Sequence, residues 1–348
     1  MKNVNPTTLA LDVTYRCNLN CTMCTAYCND QQPEKSELSV DEILKITLDY
    51  VESFNITRIR LMGGEPFIRS DIFEIISALQ PHIETESSTN ATMINDQFAE
   101  RIVESGLEYL KISIDGMREN HEAIRGAGTF DKAVNGIKAL EAAKKRMGRA
   151  NPVVRIGCAV NKSNIDDMED LYLLAQDQGI GFTFWPMLDM DSPARETEIS
   201  GSLMTHNRHM DQSARDLVLS IKEQRQSRKK YREIQKRNGG DYRPYLRFKA
   251  VDYFHHLAQI VHFDCDKSKY HVMVGPDGNT TPCEFLRNYS YGNSLTEGAQ
   301  IWNSEERAKV RKMIKEGSLN TCQECNKRGV YRIFPNLQSM TPKFLSGN

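Results

Sequence analysis

The chain has 348 residues, 39% hydrophobic and 26% charged, with 45 basic and 46 acidic side chains for a formal net charge of −1. That length suits one large α/β domain with an appendage, or two domains, and the apolar fraction favours a packed core over a disordered chain. The charge balance argues against a surface built to grip nucleic acid. The absence of any run of ~18 apolar residues argues against a membrane span, and the polar start carries no secretory segment.

Strand-like runs at 8–14, 57–62, 83–88, 108–114, 153–160 and 181–187 alternate with helix-like stretches at 39–54, 71–79, 95–105, 130–147 and 166–178. Ser39 with Glu42 reads as a capping box, Asn95 and Asp166 as N-caps, and Gly106 and Gly179 stand where helices end on glycine. Six strands interleaved with helices imply right-handed βαβ units and a parallel sheet, open or barrel-like. Past residue 191 the alternation stops. A helix is expected over 211–236, and eleven Lys/Arg between Lys222 and Lys249 face Glu223, Glu233 and Asp241. A solvated linker helix and a contact surface for an acidic partner both account for that run. A hairpin follows at 270–283 around Gly275–Asn279, then a short helix at 303–315.

Nine cysteines in a chain of this size point to metal binding or chemistry rather than a disulfide scaffold. Cys17, Cys21 and Cys24 form C-x₃-C-x₂-C in the loop after the first strand. Three thiolates there can hold three corners of a [4Fe–4S] cube and leave one iron open to a ligand. A zinc site completed by Cys28, a His or an Asp is the alternative, and spacing does not separate the two. Gly63-Gly64-Glu65-Pro66 follows the second strand. Its glycines let a backbone edge approach a ligand closely, and Glu65 and nearby carbonyls can accept from a cationic amine.

Cys17-Asn18-Leu19-Asn20-Cys21-Thr22-Met23-Cys24 followed by Gly63-Gly64-Glu65-Pro66 resembles the radical S-adenosylmethionine (SAM) superfamily over roughly residues 8–190. The resemblance implies an α/β fold with a partial (β/α)₆ TIM-like barrel. It implies a cluster on Cys17, Cys21 and Cys24, with SAM chelating the open iron. One-electron cleavage of SAM would give methionine and a 5′-deoxyadenosyl radical that abstracts a substrate hydrogen. Gly63, Gly64, Glu65 and Pro66 would receive the SAM amino group. Asn90, in Ser88-Thr89-Asn90 with Ala91 in place of the family's glycine, and Ser113, Arg125 and Asn161 match positions that contact SAM in relatives. Met23 replaces the commoner aromatic and can still flank adenine. These residues fall at the C-terminal ends of strands, where sites gather in barrel-like folds. Along strand four, Lys111, Ser113 and Asp115 alternate with Leu110, Ile112 and Ile114. That pattern suits a polar lumen, and equally a sheet with one wet face.

Cys265, Cys283, Cys322 and Cys325, together with Pro282-Cys283, Tyr291-Gly292-Asn293 and Ile301-Trp302, resemble the SPASM/Twitch extension of radical SAM enzymes. This implies a small C-terminal α+β domain of β-hairpin plus helix with one auxiliary [4Fe–4S] cluster, zinc or incomplete ligation being the alternatives. Cys28 and Cys158 have no assigned task. Cys158 reads as a buried inert thiol or as a hydrogen-atom donor facing the lumen. His255, His256, His262 and His271 read as structural or exposed. The expected divisions are a barrel over 1–190, a helical basic connector over 191–260 and the auxiliary domain over 261–348.

The expected function is a cytoplasmic radical SAM enzyme fed by an external electron donor such as flavodoxin or ferredoxin. It would abstract hydrogen from a small sugar- or alcohol-like molecule, because no peptide-recognition domain precedes the first strand. A peptide- or protein-modifying maturase is the alternative, and a non-catalytic Fe–S or zinc protein the remote one.

Overall fold

The computed structural model describes residues 4–24, 37–187, 216–219, 221–238, 265–283, 286, 289–316 and 318–319. Cys28, Cys322, Cys325, His255, His256, His262 and the 239–249 part of the basic run lie outside the described residues. Strands β1 (Thr8–Thr14), β2 (Arg58–Gly63), β3 (Glu84–Thr89), β4 (Tyr109–Ser113), β5 (Val153–Val160) and β6 (Gly181–Pro186) pair in parallel, each with the next. Between them run α1 (Val40–Phe54), α2 (Ile72–Leu79), α3 (Asp96–Glu104), α4 (Arg118–Arg125), α5 (Thr129–Met147) and α6 (Met168–Asp177). This is the α/β partial barrel, and the described residues leave it open between β6 and β1.

Local chemistry sets the helix starts. At α1 the Ser39 hydroxyl accepts from the Glu42 N–H at 3.3 Å while the Glu42 carboxylate accepts from the Ser39 N–H at 2.8 Å, completing the capping box. Asn95 caps α3 by accepting from Phe98 N–H at 2.9 Å. Helix α6 begins at Met168 rather than at Asp166, after a 3₁₀ turn over Ile165–Asp167. Asp167 is drawn away to the N–H of Met117 and the amide of Asn120. Helix α4 has no counterpart among the expected elements.

The two faces of the sheet differ as the alternation requires. Ile59, Leu61, Leu110, Ile112, Val154 and Ile156 are buried in one core with Ile43, Ile46, Ile75, Ile76 and Ile137 of the helices, at ~1.5–3 kcal/mol for each large side chain removed from water. On the opposite face, register neighbours Arg58 and Glu84 pair at 2.6 Å, and Arg60 and Glu86 at 3.2 Å. Lys111 and Ser113 are half-buried beyond them.

The sheet does not stop at β1. After α7 (Ile221–Arg237) and the short α8 (Asp266–Tyr270), strand β7 (His271–Val274) pairs in parallel with β1, Leu9 beside Val272 and Leu11 beside Val274. Strands β8 (Asn279–Thr281) and β9 (Gly292–Asn293) add on antiparallel, giving nine strands in the order β6-β5-β4-β3-β2-β1-β7-β8-β9. Helix α9 (Ser294–Glu297), a 3₁₀ turn over Gly298–Asn303 and α10 (Glu305–Glu316) complete the described chain.

Candidate cofactor site

The loop leaving β1 carries Cys17 and Cys24, both half-buried, and Cys21, which is buried. Backbone bonds shape it: Cys24 N–H donates to Cys21 O at 3.1 Å, and Thr22 N–H to Ile124 O at 3.0 Å, tying the loop to the end of α4. Leu19 N–H donates to the Cys17 sulfur at 3.4 Å. Burial pushes the Cys17 thiol up to about 12 and also raises Cys21, where Arg125 opposes it. Such thiols stay protonated until a metal compensates the charge, so binding there releases protons. Among the described residues no three His, Cys, Asp or Glu side chains converge on one ion position.

Gly63 and Gly64 are explained by the chain's own backbone. Gly63 has φ +137°, and a Cβ there would lie 2.1 Å from Thr14 O; a Cβ on Gly64 would lie 2.1 Å from Arg16 O. Gly64 N–H donates to Thr14 O and Glu65 N–H to Arg16 O, each at 2.9 Å. The glycines therefore let the exit of β2 run against the start of the cysteine loop. The close approach read from the motif is real, and its described partner is that loop.

Glu65 is 2% exposed, and three donors occupy its carboxylate: Thr89 Oγ1 at 2.8 Å, Asn90 N–H at 2.7 Å and Phe67 N–H at 3.3 Å. Burial pushes its pKa up to about 7 while these donors pull it back. In this arrangement Glu65 ties the ends of β2 and β3 together. Pro66 opens the 3₁₀ turn that Glu65 caps. Asn90 donates to Asn18 Oδ1 at 2.8 Å, and Asn18 donates to Thr92 Oγ1 at 2.9 Å, so a closed amide network holds the cysteine loop to the end of β3. Ala91 takes φ +58°, a left-handed conformation that glycine adopts most readily.

On the other side of the loop Arg125 pairs with Asp115 at 2.6 Å and reaches to 4.0 Å from the Cys21 sulfur. Asp115 is fully buried, accepts from Ala159 N–H at 2.7 Å, and gives its own N–H to His121 Nδ1 at 3.1 Å. Asn161, at the end of β5, is also fully buried; its Oδ1 accepts from Ser163, while its Nδ2 has no partner among the described residues. An orphaned donor in the row of strand ends where SAM is expected fits a polar ligand. Ser113 sits half-buried at the end of β4, beside Gly157. Met23, Trp185, Leu217 and Val218 pack against Ala159 and Met187, an apolar cluster suited to the flat face of a base. Lys111 lies over the Trp185 ring at 4.6 Å. Cys158 is fully buried on the same face of β5 as Val154 and Ile156, with Asn164 Nδ2 at 3.8 Å from its sulfur, which removes the reading of a lumen-facing donor.

Sequence reading missed Asn18, His121, Asn164 and all of α4. Only the Asn next to Cys17 and the Ile124-Arg125-Gly126 end of α4 carried a local signal.

In the C-terminal region, Cys265 is half-buried and Cys283 buried. Tyr291 is 2% exposed, and its hydroxyl has no hydrogen-bond partner among the described residues. Burial raises its pKa, Arg307 opposes, and Cys283, Arg311 and Cys265 are all within electrostatic reach. These groups suit an anionic sulfur cluster. Cys322 and Cys325 would supply its remaining ligands.

The family model of the radical SAM superfamily matches residues 11–175, and that of the SPASM iron–sulfur cluster-binding domain matches residues 265–326. The chain is 33% identical over 171 residues to the Fe-coproporphyrin III synthase of Methanosarcina barkeri (strain Fusaro / DSM 804), covering 49% of this chain and 41% of that protein. It is 33% identical over 176 residues to the mycofactocin maturase MftC of Mycobacterium ulcerans (strain Agy99), covering 50% and 45%. The matches thus span less than half the length of these relatives. In fold it resembles Streptococcus suis SuiB bound to S-adenosylmethionine, with TM-score 0.65, 14% identity and coverage of 92% of this chain and 72% of that one. SuiB is also known bound to its precursor peptide SuiA, a structure that matches with TM-score 0.64. No helix among the described residues is long and apolar enough to cross a membrane.

Proposed function

Because the chain belongs to the radical SAM superfamily and carries a SPASM auxiliary cluster domain, we propose that it is an enzyme that modifies a peptide or protein side chain after hydrogen abstraction. The observation that carries the chemistry is the convergence of three strand ends and α4 on one cysteine loop. Glu65, Asn90 with Asn18, and Arg125 with Asp115 each fix part of it. Cys17, Cys21 and Cys24 would hold the [4Fe–4S] cluster, and SAM bound there supplies the 5′-deoxyadenosyl radical. The protein's part is positioning and shielding. Gly63 and Gly64 set the loop against β2, Met23 and its neighbours offer an apolar wall, and Asn161 offers a free donor. Arg125 places positive charge beside Cys21, which favours a thiolate there.

The sequence tilted toward a small sugar- or alcohol-like substrate. The relatives support the peptide reading better: one is a maturase, and the fold matches a protein seen with its precursor peptide. A small-molecule substrate remains the second reading, favoured by the similarity to Fe-coproporphyrin III synthase. An external one-electron donor such as flavodoxin or ferredoxin would start each turnover.

The test is anaerobic reconstitution, reduction and addition of SAM. We expect about eight irons per chain, as two cubes of four, and release of 5′-deoxyadenosine. Replacing Cys17, Cys21 and Cys24 by Ala should leave about four irons and no deoxyadenosine. Candidate precursor peptides encoded beside the gene should change mass only with the intact chain. Deoxyadenosine formation without any peptide mass change, but with turnover of a small molecule, would sink the peptide reading.

A further inference from the structure

The end of the β7–β8 hairpin away from its turn gathers groups that the proposed chemistry does not use. Register sets Met273 opposite Thr281, and Cys283 follows two residues past the end of β8, while β7 starts directly after the helix that begins next to Cys265. On the other side of β8, Thr280 pairs with Gly292 and accepts from Tyr291 N–H at 2.7 Å, so Tyr291 runs beside the residues leading to Cys283. Arg307 and Arg311 stand one helical turn apart on α10, both buried. They donate to the carbonyl and hydroxyl oxygens of Ser268 at 3.2 and 3.4 Å, and Ser268 donates in turn to Cys265 O at 3.0 Å.

Close to these groups the buried Tyr291 hydroxyl has no acceptor among the described residues. Buried hydroxyls are rarely left so, because the lost solvation is not recovered. A sulfur-rich anion held by Cys265 and Cys283 would supply the acceptor. We propose that the Tyr291 hydroxyl donates a hydrogen bond to a sulfur of the auxiliary cluster and thereby raises its reduction potential. The proton stays on the phenol oxygen throughout. The reduced cluster carries one more negative charge than the oxidised one, so it accepts the stronger hydrogen bond, and reduction is favoured. Tyr291 is thus a tuning residue that acts through the cluster. This inference rests on the auxiliary cluster and is independent of the substrate.

The experiment uses the full chain with Cys17, Cys21 and Cys24 replaced by Ala, so that only the auxiliary cluster loads. Redox titration followed by electron paramagnetic resonance compares Tyr291 with Tyr291→Phe. We expect the variant's potential to fall. At a fixed poise the reduced-to-oxidised ratio should drop on the order of tenfold, ~59 mV for a one-electron couple. The iron–sulfur stretching bands of the parent should shift in D₂O, and that shift should shrink in the variant. Free of iron, Tyr291→Phe should melt at or above the parent, because it removes an unpartnered hydroxyl. A four-iron variant with unchanged potential and unchanged D₂O shift would overturn the inference alone. So would an iron-free variant that melts well below the parent, which would mean a protein partner for the hydroxyl. A parent that holds no iron would overturn it together with the auxiliary cluster.

Discussion

Gly64 shows how one residue can decide whether the cysteine loop exists. Its missing Cβ leaves room for Arg16 O, which a methyl group would meet at 2.1 Å, and neither partner is a flexible side-chain tip. Gly64→Ala must push the β2 exit and the cysteine loop apart, breaking the bonds from Gly64 and Glu65 N–H to that loop. We expect iron to fall from about eight to about four per chain, with deoxyadenosine lost and auxiliary iron kept. An eight-iron variant with normal deoxyadenosine release would show that the crossing tolerates the methyl. The motif itself was legible, because its residues are contiguous and their types are unusual. Its physical partner was not, because Thr14 and Arg16 belong to another strand exit, and spacing says nothing about which backbones cross. Glu65 shows the same limit. A carboxylate after two glycines suggests a free acceptor, but the fold surrounds it with three donors from its own chain.

At the scale of elements, α4 is the instructive case. Of its eight residues only His121 and Ile124 are buried, and its N-cap position, Met117, makes no side-chain cap. So neither periodicity nor capping marked it, and its tertiary contacts hold it. His121 faces Asp115 just beyond β4, Arg125 and Glu122 on its own helix, and the Phe130 ring. Burial, helped by Arg125, pushes its pKa down to about 4, while Asp115 and Glu122 work in the other direction. The folded protein therefore refuses a proton that the unfolded chain accepts below its own pKa of about 6.5. Stability is full above that pH and is lost as pH falls from about 6.5 toward about 4, by at most ~1.4 kcal/mol per pH unit. Denaturant melts of the iron-free protein should show this slope. His121→Asn, which keeps an acceptor for Asp115 N–H, should flatten it. An equal slope in both proteins would remove His121 as its source. The strands were easier to read than α4, because an alternating pattern such as Lys111-Ile112-Ser113-Ile114 survives any tertiary context.

For the whole molecule, the pairing of β7 with β1 changes what the C-terminal region is for. A parallel partner from the far end of the chain leaves no trace in local pattern, so the sequence suggested a hairpin on a separate appendage. In the structure that hairpin covers the edge of β1, and the elements after it clamp α1. Tyr50 Oη lies 3.0 Å from Ser294 Oγ, and Asp49 accepts from Ala299 N–H at 2.6 Å. Trp302, 1% exposed, packs edge-on to Phe54 and donates to Val4 O at 3.0 Å. A fragment ending at residue 190 would therefore bare the unpaired edge of β1 and the apolar face of α1 around Phe54. Exposed edges of this kind pair with other chains, and the fragment also loses the packing of Trp302 on Phe54. The fragment should aggregate or melt well below the full chain even when its cysteine loop is intact, while the full chain should unfold in one transition that includes both regions. Scanning calorimetry with limited proteolysis separates the cases. A soluble fragment 1–190 that melts with the full chain would mean that β1 needs no cover, and that the SPASM region serves its cluster alone.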